Sequence, residues 1–181
     1  MKQNQDLPVW FSNNATAACI TELEFGDESL WNDFLYIFVG TFVGGCVVQN
    51  GALKTTEQSN AGAIGSMAVP AAYADDDTGS GQTSVQLIHC ASCYLLNNQL
   101  KQAGFNPYTV IDAIGLKEQG QENNDELPDQ AIGIFNQWLD KTAETIAIAL
   151  VAAVSVIDFR GVVIDGLLPG VLVNRLVSTE E

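Results

Sequence analysis

The sequence predicts a mixed α/β layer fold, on three observations. Phe34 to Gly51, FLYIFVGTFVGGCVVQNG, joins two apolar runs through a glycine-threonine turn and closes on Asn-Gly, the pattern of buried strands linked by tight turns. From about Asp129, apolar residues recur every three or four positions through Ile132, Phe135, Leu139, Ala143, Ile146, Leu150 and Ala153, the stripe of a long helix lying on a sheet. Val162 to Ile164 then reads as one more buried strand. Strands, then helices, then a returning strand put that last segment into the sheet of the hairpin.

The elements follow in order. Leu7 to Phe11 is a short apolar strand candidate, and Ser12-Asn13-Asn14 are helix-capping residues ahead of a helix from Ala15 to Phe25 that stops at Gly26 in the C′ role. Phe34 to Val39 forms the first hairpin strand; Gly40, Thr41, Gly44 and Gly45 make the turn, and Cys46 to Val48 resumes the strand. Asn50-Gly51 leads into Ala52 to Thr55. Glu57 to Asn60 is a polar connection, and Ala61 to Met67 is small enough for backbone to approach backbone. Tyr73 to Gln82 is an acidic surface loop whose three aspartates lack the spacing of a calcium loop.

Ser84 to Ala103 reads as one helix ending at Gly104, Pro107 to Leu116 as a shorter helix, and Gln119 to Asp125 as a polar loop. Trp138 belongs to the core, Asp165-Gly166 to a turn, and Val171 to Val177 to a final helix. The pattern contains neither a repeat nor a linker.

Composition narrows the function classes. The 181 residues are 47% hydrophobic, enough for a real core, and carry 22 acidic against 7 basic side chains, a net charge of -15. Such a surface repels phosphate backbones and anionic lipids, so this stretch by itself is no nucleic-acid or membrane binder. The longest apolar run, Ile146 to Ile157, is too short to span a bilayer, and MKQNQDLPVW lacks a signal-peptide core, which together predict a cytoplasmic protein. Cys19, Cys46, Cys90 and Cys93 then read as buried thiols rather than disulfides. His89-Cys90-Ala91-Ser92-Cys93 has no second ligand pair, so the metal expectation is none. Asn14-Ala15-Thr16 has the form of a glycosylation sequon, without meaning in that compartment.

A Gly-Thr turn between buried strands also cradles phosphates in some proteins, although most such turns are plain hairpins. Four segments in succession, LPVWFSNNATAACITELEFG, FLYIFVGTFVGGCVVQNGAL, NAGAIGSM and VVIDG, resemble the motifs of the C-terminal lobe of ROK proteins. These are bacterial repressors and sugar kinases built on the actin-like ATPase (ribonuclease H-like) fold. The resemblance spans nearly all of residues 1–181 and predicts a single lobe, a fragment without the first lobe or a helix-turn-helix segment.

What the resemblance implies for the site is a loss of catalytic groups. The family's Asn-Asp pair, whose aspartate takes the proton from the attacking sugar hydroxyl, is Asn13-Asn14 here, and an amide holds a hydroxyl but accepts no proton near neutral pH. The AGEIGH-like segment, source of a sugar-binding Glu and a zinc-ligating His, has Ala63 and Ser66 at those places. A second sugar-contacting Glu aligns with Ile88. The Gly-Thr-Gly phosphate turn reads Gly40-Thr41-Phe42, and the adenosine-side glycine pair reads Asp165-Gly166.

On this reading Asn13, Asn14, Gly62 and Ser66 are the ligand-sensing residues, for a ligand other than the usual hexoses, while Gly40, Thr41, Gly44, Gly45 and Gly166 are vestiges of a nucleotide site. Three functions stay open. The first is an inactive, dimerising, sugar-sensing part of a transcriptional regulator that touches DNA only through another segment, with no cofactor. The second is a sugar kinase using ATP and Mg. The third is a non-binding remnant in which Asn13 and Asn14 only cap a helix and the glycines only pack. Missing a partner lobe, the chain is further expected to self-associate.

Overall fold

The computed structural model describes residues 12–26, 32–55, 62–74, 81–121 and 127–178. Helix α1 (Asn14–Phe25) precedes strands β1 (Phe34–Val39), β2 (Val43–Gln49) and β3 (Ala52–Leu53). A short hairpin follows, β4 (Ala68–Pro70) with β5 (Ser84–Gln86), and then helices α2 (Cys93–Gln102), α3 (Pro107–Glu118) and α4 (Asp129–Val154). Strand β6 (Gly161–Gly166) and helix α5 (Gly170–Ser178) close the order.

The main sheet runs β3-β2-β1-β6. Its first three strands are an antiparallel meander, and β6 lies parallel to β1, with Phe34 opposite Gly161 and Val39 opposite Gly166. The mixed α/β architecture and the return of Val162 to Ile164 to the hairpin sheet are therefore as the sequence predicts. Asn50 and Gly51, at φ 55° and 69°, supply the left-handed pair that a two-residue hairpin turn requires.

Alternation along β1 sends side chains to two cores. Leu35, Ile37 and Val39 face the helical layer with Val43 and Val47 of β2, and meet Leu96, Leu100, Phe135, Leu139 and Leu172. Phe34 and Tyr36 face the other way with Cys46 and Val48, under Cys19 of α1. A central strand covered on both faces has no polar side to present, which is why β1 reads as an unbroken apolar run. Each such fully buried aliphatic or aromatic side chain contributes about 1.5–3 kcal/mol relative to exposure. Trp138, at 2% exposure, lies in the core as expected and donates its indole N–H to the Ser92 carbonyl at 3.2 Å.

Four expectations are corrected. Strand β2 begins at Val43, so Gly44 and Gly45 are strand residues and the turn is only Gly40 to Phe42. Ser84 to Ala103 is not one helix: Val85 pairs with Val69 in the β4-β5 hairpin, Leu87–His89 is a single 3-10 turn, and Ser92 is extended at φ -85° and ψ 138° before α2 begins. Val85 and Ile88 have helical spacing over too short a run to outweigh strand pairing and the tie of Ser92 to Val43. Asp165-Gly166 ends β6 rather than turning, because both pair with Phe38 and Val39 of β1. Gly26 does end α1, with its N–H donating to Glu22 O, but at φ -69° it is extended, not left-handed.

The Leu7 to Phe11 candidate and the Glu57 to Asn60 connection lie outside the described residues, as does most of the Tyr73 to Gln82 and Gln119 to Asp125 loops. Among the described residues no helix is long and apolar enough to cross a membrane.

Candidate functional site

The N-terminus of α1, the turn between β1 and β2, the segment following Gly62, and Ile88 converge on a cleft of about 490 Å³. Each wall has a local cause. Asn13 caps α1, its Oδ1 accepting the Thr16 N–H at 2.7 Å, which places Asn14 as the first helical residue, and both residues line the cleft. The helix sits this close to β2 because Gly44 has no side chain: a Cβ there would lie 3.2 Å from that of Ala15.

The opposite wall is a backbone crossing. A Cβ on Gly65 would stand 2.4 Å from the Val43 carbonyl oxygen, and one on Gly62 would stand 2.5 Å from Cys46 Cα. These two glycines let the 62–66 segment lie against β2 and carry Ala63 and Ser66 to the cleft. The turn is anchored from behind by α2, whose first N–H groups, those of Cys93 and Tyr94, donate to Gly40 O at 3.0 Å and Thr41 O at 3.1 Å. Buried Ser92 completes the anchor: its Oγ accepts the Val43 N–H at 3.1 Å and donates to Ile88 O at 2.7 Å.

Of the residues predicted to sense a ligand, Asn13, Asn14 and Ser66 line the cleft; Gly62 does not, and its φ of 79° beside Cys46 gives it a packing reason. Of the predicted phosphate positions, Thr41, Gly44 and Gly45 line it. Gly40 instead serves the turn, and Gly166 abuts the Val39 carbonyl, 2.3 Å from where its Cβ would be. Ala63, Ile88 and Phe42, to which the resemblance assigns the places of the family's two acids and third turn glycine, all line the cleft.

Asp165 is not on the cleft. One carboxylate oxygen accepts the Tyr36 hydroxyl at 2.6 Å and the other the Gly166 N–H at 2.7 Å, so the expected charge beside a nucleotide is committed within the sheet. Sequence reasoning missed Thr16, Phe38 and Gly65 on the cleft wall, and Ser92 and Tyr94 behind the turn. For Ser92 a signal existed, a serine just before the helical run of Tyr94, Leu95 and Leu96.

Among the described residues no cleft-lining side chain is ionisable. Asn13, Asn14, Thr16, Thr41 and Ser66 offer neutral amides and hydroxyls, which match a polyol's hydroxyls as donors and acceptors but remove no proton. Behind Thr16, the Cys46 sulfur is 3.6 Å from the threonine hydroxyl. A hydrogen bond from Cys19, helped by Thr16, holds the Cys46 thiol down at about 7 despite burial, and the same contact pushes Cys19 up. All four cysteines are buried thiols outside any disulfide, and among the described residues no three His, Cys, Asp or Glu are grouped to hold a metal. Ser66, at the place the resemblance gives to a zinc-ligating His, has a hydroxyl that is no ligand of that class.

Tyr36 carries a pH signature. Burial first, and then its bond to Asp165, push its phenol well above the ordinary 10.0. A raised folded-state value means the contribution is whole below pH 10 and is lost as pH rises further, because the unfolded chain ionises first. Tyr36→Phe is expected to cost about 1 kcal/mol near neutrality. It should also remove an alkaline loss of up to about 1.4 kcal/mol per pH unit. Urea unfolding of both proteins between about pH 9 and pH 11 checks this, and equal pH slopes would contradict it.

The model of the ROK family matches residues 1–177. The chain belongs to the ROK family. An uncharacterized protein of Sinorhizobium fredii, y4fQ, is 27% identical over 177 residues, 96% of this chain and 38% of that protein. A ROK family glucokinase from Streptomyces griseus superposes with a TM-score of 0.60 at 19% identity, covering 88% of this chain and 52% of that one. A ROK family transcriptional regulator, a homolog of the E. coli MLC protein, gives a TM-score of 0.58 at 14% identity over 94% and 44%. The sheet and its packed helices therefore have the actin-like ATPase fold of ROK sugar kinases, and the chain spans about half or less of the length of these relatives.

Proposed function

We propose that this chain is the C-terminal lobe of a ROK transcriptional regulator, where it senses a small sugar or sugar derivative, dimerises, and carries out no phosphoryl transfer. The observation that carries the reading is Asn14. It lines the cleft, at the position the sequence resemblance gives to the family's general base, and among the described residues no neighbour on the cleft wall is a carboxylate that could replace it. Positioning without a proton acceptor gives binding and not transfer.

The nucleotide side supports the same reading. The Val43 N–H, directly after the turn, is already bonded to Ser92, and Phe42 stands where the third glycine would admit a phosphate. We therefore propose no cofactor. DNA contact belongs to a segment outside this chain, and a second copy is the partner for dimerisation, with Val151, Val154 and Val156 exposed at the end of α4. Light scattering on the protein at high concentration should show more than a monomer, and a clean monomer would contradict the dimer.

Calorimetric titration of the full-length protein with neutral hexoses and sugar alcohols is the test of sensing. Heat with at least one sugar and no turnover in an ATP-coupled assay is the expected result; silence across the panel counts against sensing. A kinase is the second reading, favoured by the match to the Streptomyces griseus glucokinase, which was crystallised with glucose and AMPPNP. That reading requires turnover that Asn14→Ala abolishes and Asn14→Asp raises. An inert Asn14→Asp protein removes it.

A further inference from the structure

We propose that the cleft takes a neutral glycoside whose aromatic or apolar aglycone stacks on Phe42 and Tyr94. The inference rests on the sugar-sensing reading and adds the chemical class of the ligand. Phe42 is 58% exposed and Tyr94 48%, yet they are not two isolated surface rings: their centroids are 5.7 Å apart at 33°. One of them, Phe42, lines the cleft beside Thr41.

The pair is held before any ligand arrives. The backbone N–H of Tyr94 donates to Thr41 O at 3.1 Å and that of Cys93 to Gly40 O at 3.0 Å, so helix α2 and the turn are tied together at the backbone that carries the two rings, and the rings contact each other. A pre-ordered aromatic surface at a cleft gains stacking without a matching loss of conformational freedom.

Charge sets the other half of the specificity. Among the described residues neither a cation nor an anion lines the cleft, and the chain carries a net charge of -15. A phosphorylated or carboxylated sugar would find no counter-ion there and would meet a repulsive field on approach. The amides of Asn13 and Asn14 and the hydroxyl of Ser66 suit the sugar ring. Ile88 and Ala63, apolar where the resemblance placed acids, give the remainder an apolar wall.

Calorimetry and tryptophan fluorescence on the full-length protein test this with three matched probes for each of glucose, galactose and mannose: the free hexose, its phenyl β-glycoside and its 6-phosphate. For the sugar that binds, the phenyl glycoside should bind about tenfold tighter than the free hexose, and the 6-phosphate should not bind. Phe42→Ala and Tyr94→Ala, both at exposed positions, should each erase most of the gain. Equal affinity for hexose and phenyl glycoside, a gain that survives both substitutions, or preference for the 6-phosphate overturns the proposal while sugar sensing stands. Silence with every glycoside probe overturns the proposal, and silence across the sugar and sugar-alcohol panel as well overturns sensing with it.

Discussion

Gly62→Ala should cost about 3 kcal/mol or more, and abolish cleft binding with it. Two separate penalties act at this residue. Its φ of 79° is one that an L side chain adopts only with strain, worth of order 1–3 kcal/mol. A methyl group would also stand 2.5, 2.7 and 2.9 Å from Cα, C and N of Cys46. Those are backbone atoms of a strand bonded to β1, so no side chain can swing aside; either the strand or the crossing segment must move. Because that segment brings Ala63, Gly65 and Ser66 to the cleft, the movement takes the opposite wall with it.

Two other glycines separate the penalties. Gly120 has φ 70° and Gly133 lies within α4, and neither would place a Cβ within 4 Å of anything. Gly120→Ala then reports the backbone term alone, while Gly133→Ala should stabilise by about 0.5–1 kcal/mol through helix propensity. Urea midpoints of the three variants give the comparison. If Gly62→Ala cost no more than Gly120→Ala, the contact with Cys46 would carry no weight.

These cases mark what the sequence can and cannot express. Strand β1 was legible because a run of aromatic and β-branched residues has few other places to go, and Asn50-Gly51 because its backbone chemistry is nearly unique to one turn. The sheet partner of β6 followed from connection rules alone. The stretch from Ser84 to Ala103 was misread because β5 and the 3-10 turn are stabilised by partners distant in sequence, Val69 and Met67, that leave no mark on local periodicity.

The site divides in the same way. Asn13, Asn14 and Ser66 were legible from a family pattern, and they do share one cleft. Gly62 was legible as special, but a residue letter does not say whether a glycine meets a ligand or its own backbone. Phe42 was read as a departure from the Gly-Thr-Gly phosphate turn. Its stacking with Tyr94, 52 residues later, is a tertiary relation that spacing could not supply.

Ser92→Ala is the second large effect expected, about 2–3 kcal/mol, since it orphans groups on two other elements at once. The Ser92 side chain is 1% exposed and bonded to the Val43 N–H and the Ile88 carbonyl. Val43 is itself buried, so its N–H finds no water when the hydroxyl goes, and an unmet buried donor costs the full desolvation term. The Trp138 bond to the Ser92 carbonyl survives, since it uses backbone. The damage should therefore concentrate at the β1-β2 turn and spare the packing of α4. Hydrogen exchange offers the discriminating readout: faster exchange at Val43 with unchanged protection across α4 is expected, whereas uniform loss would show that Ser92 matters only to global stability. Since Val43 and Ile88 both line the cleft, weaker ligand binding should accompany that local loosening, and Ser92→Thr, which keeps the hydroxyl, should restore part of it if the added methyl fits.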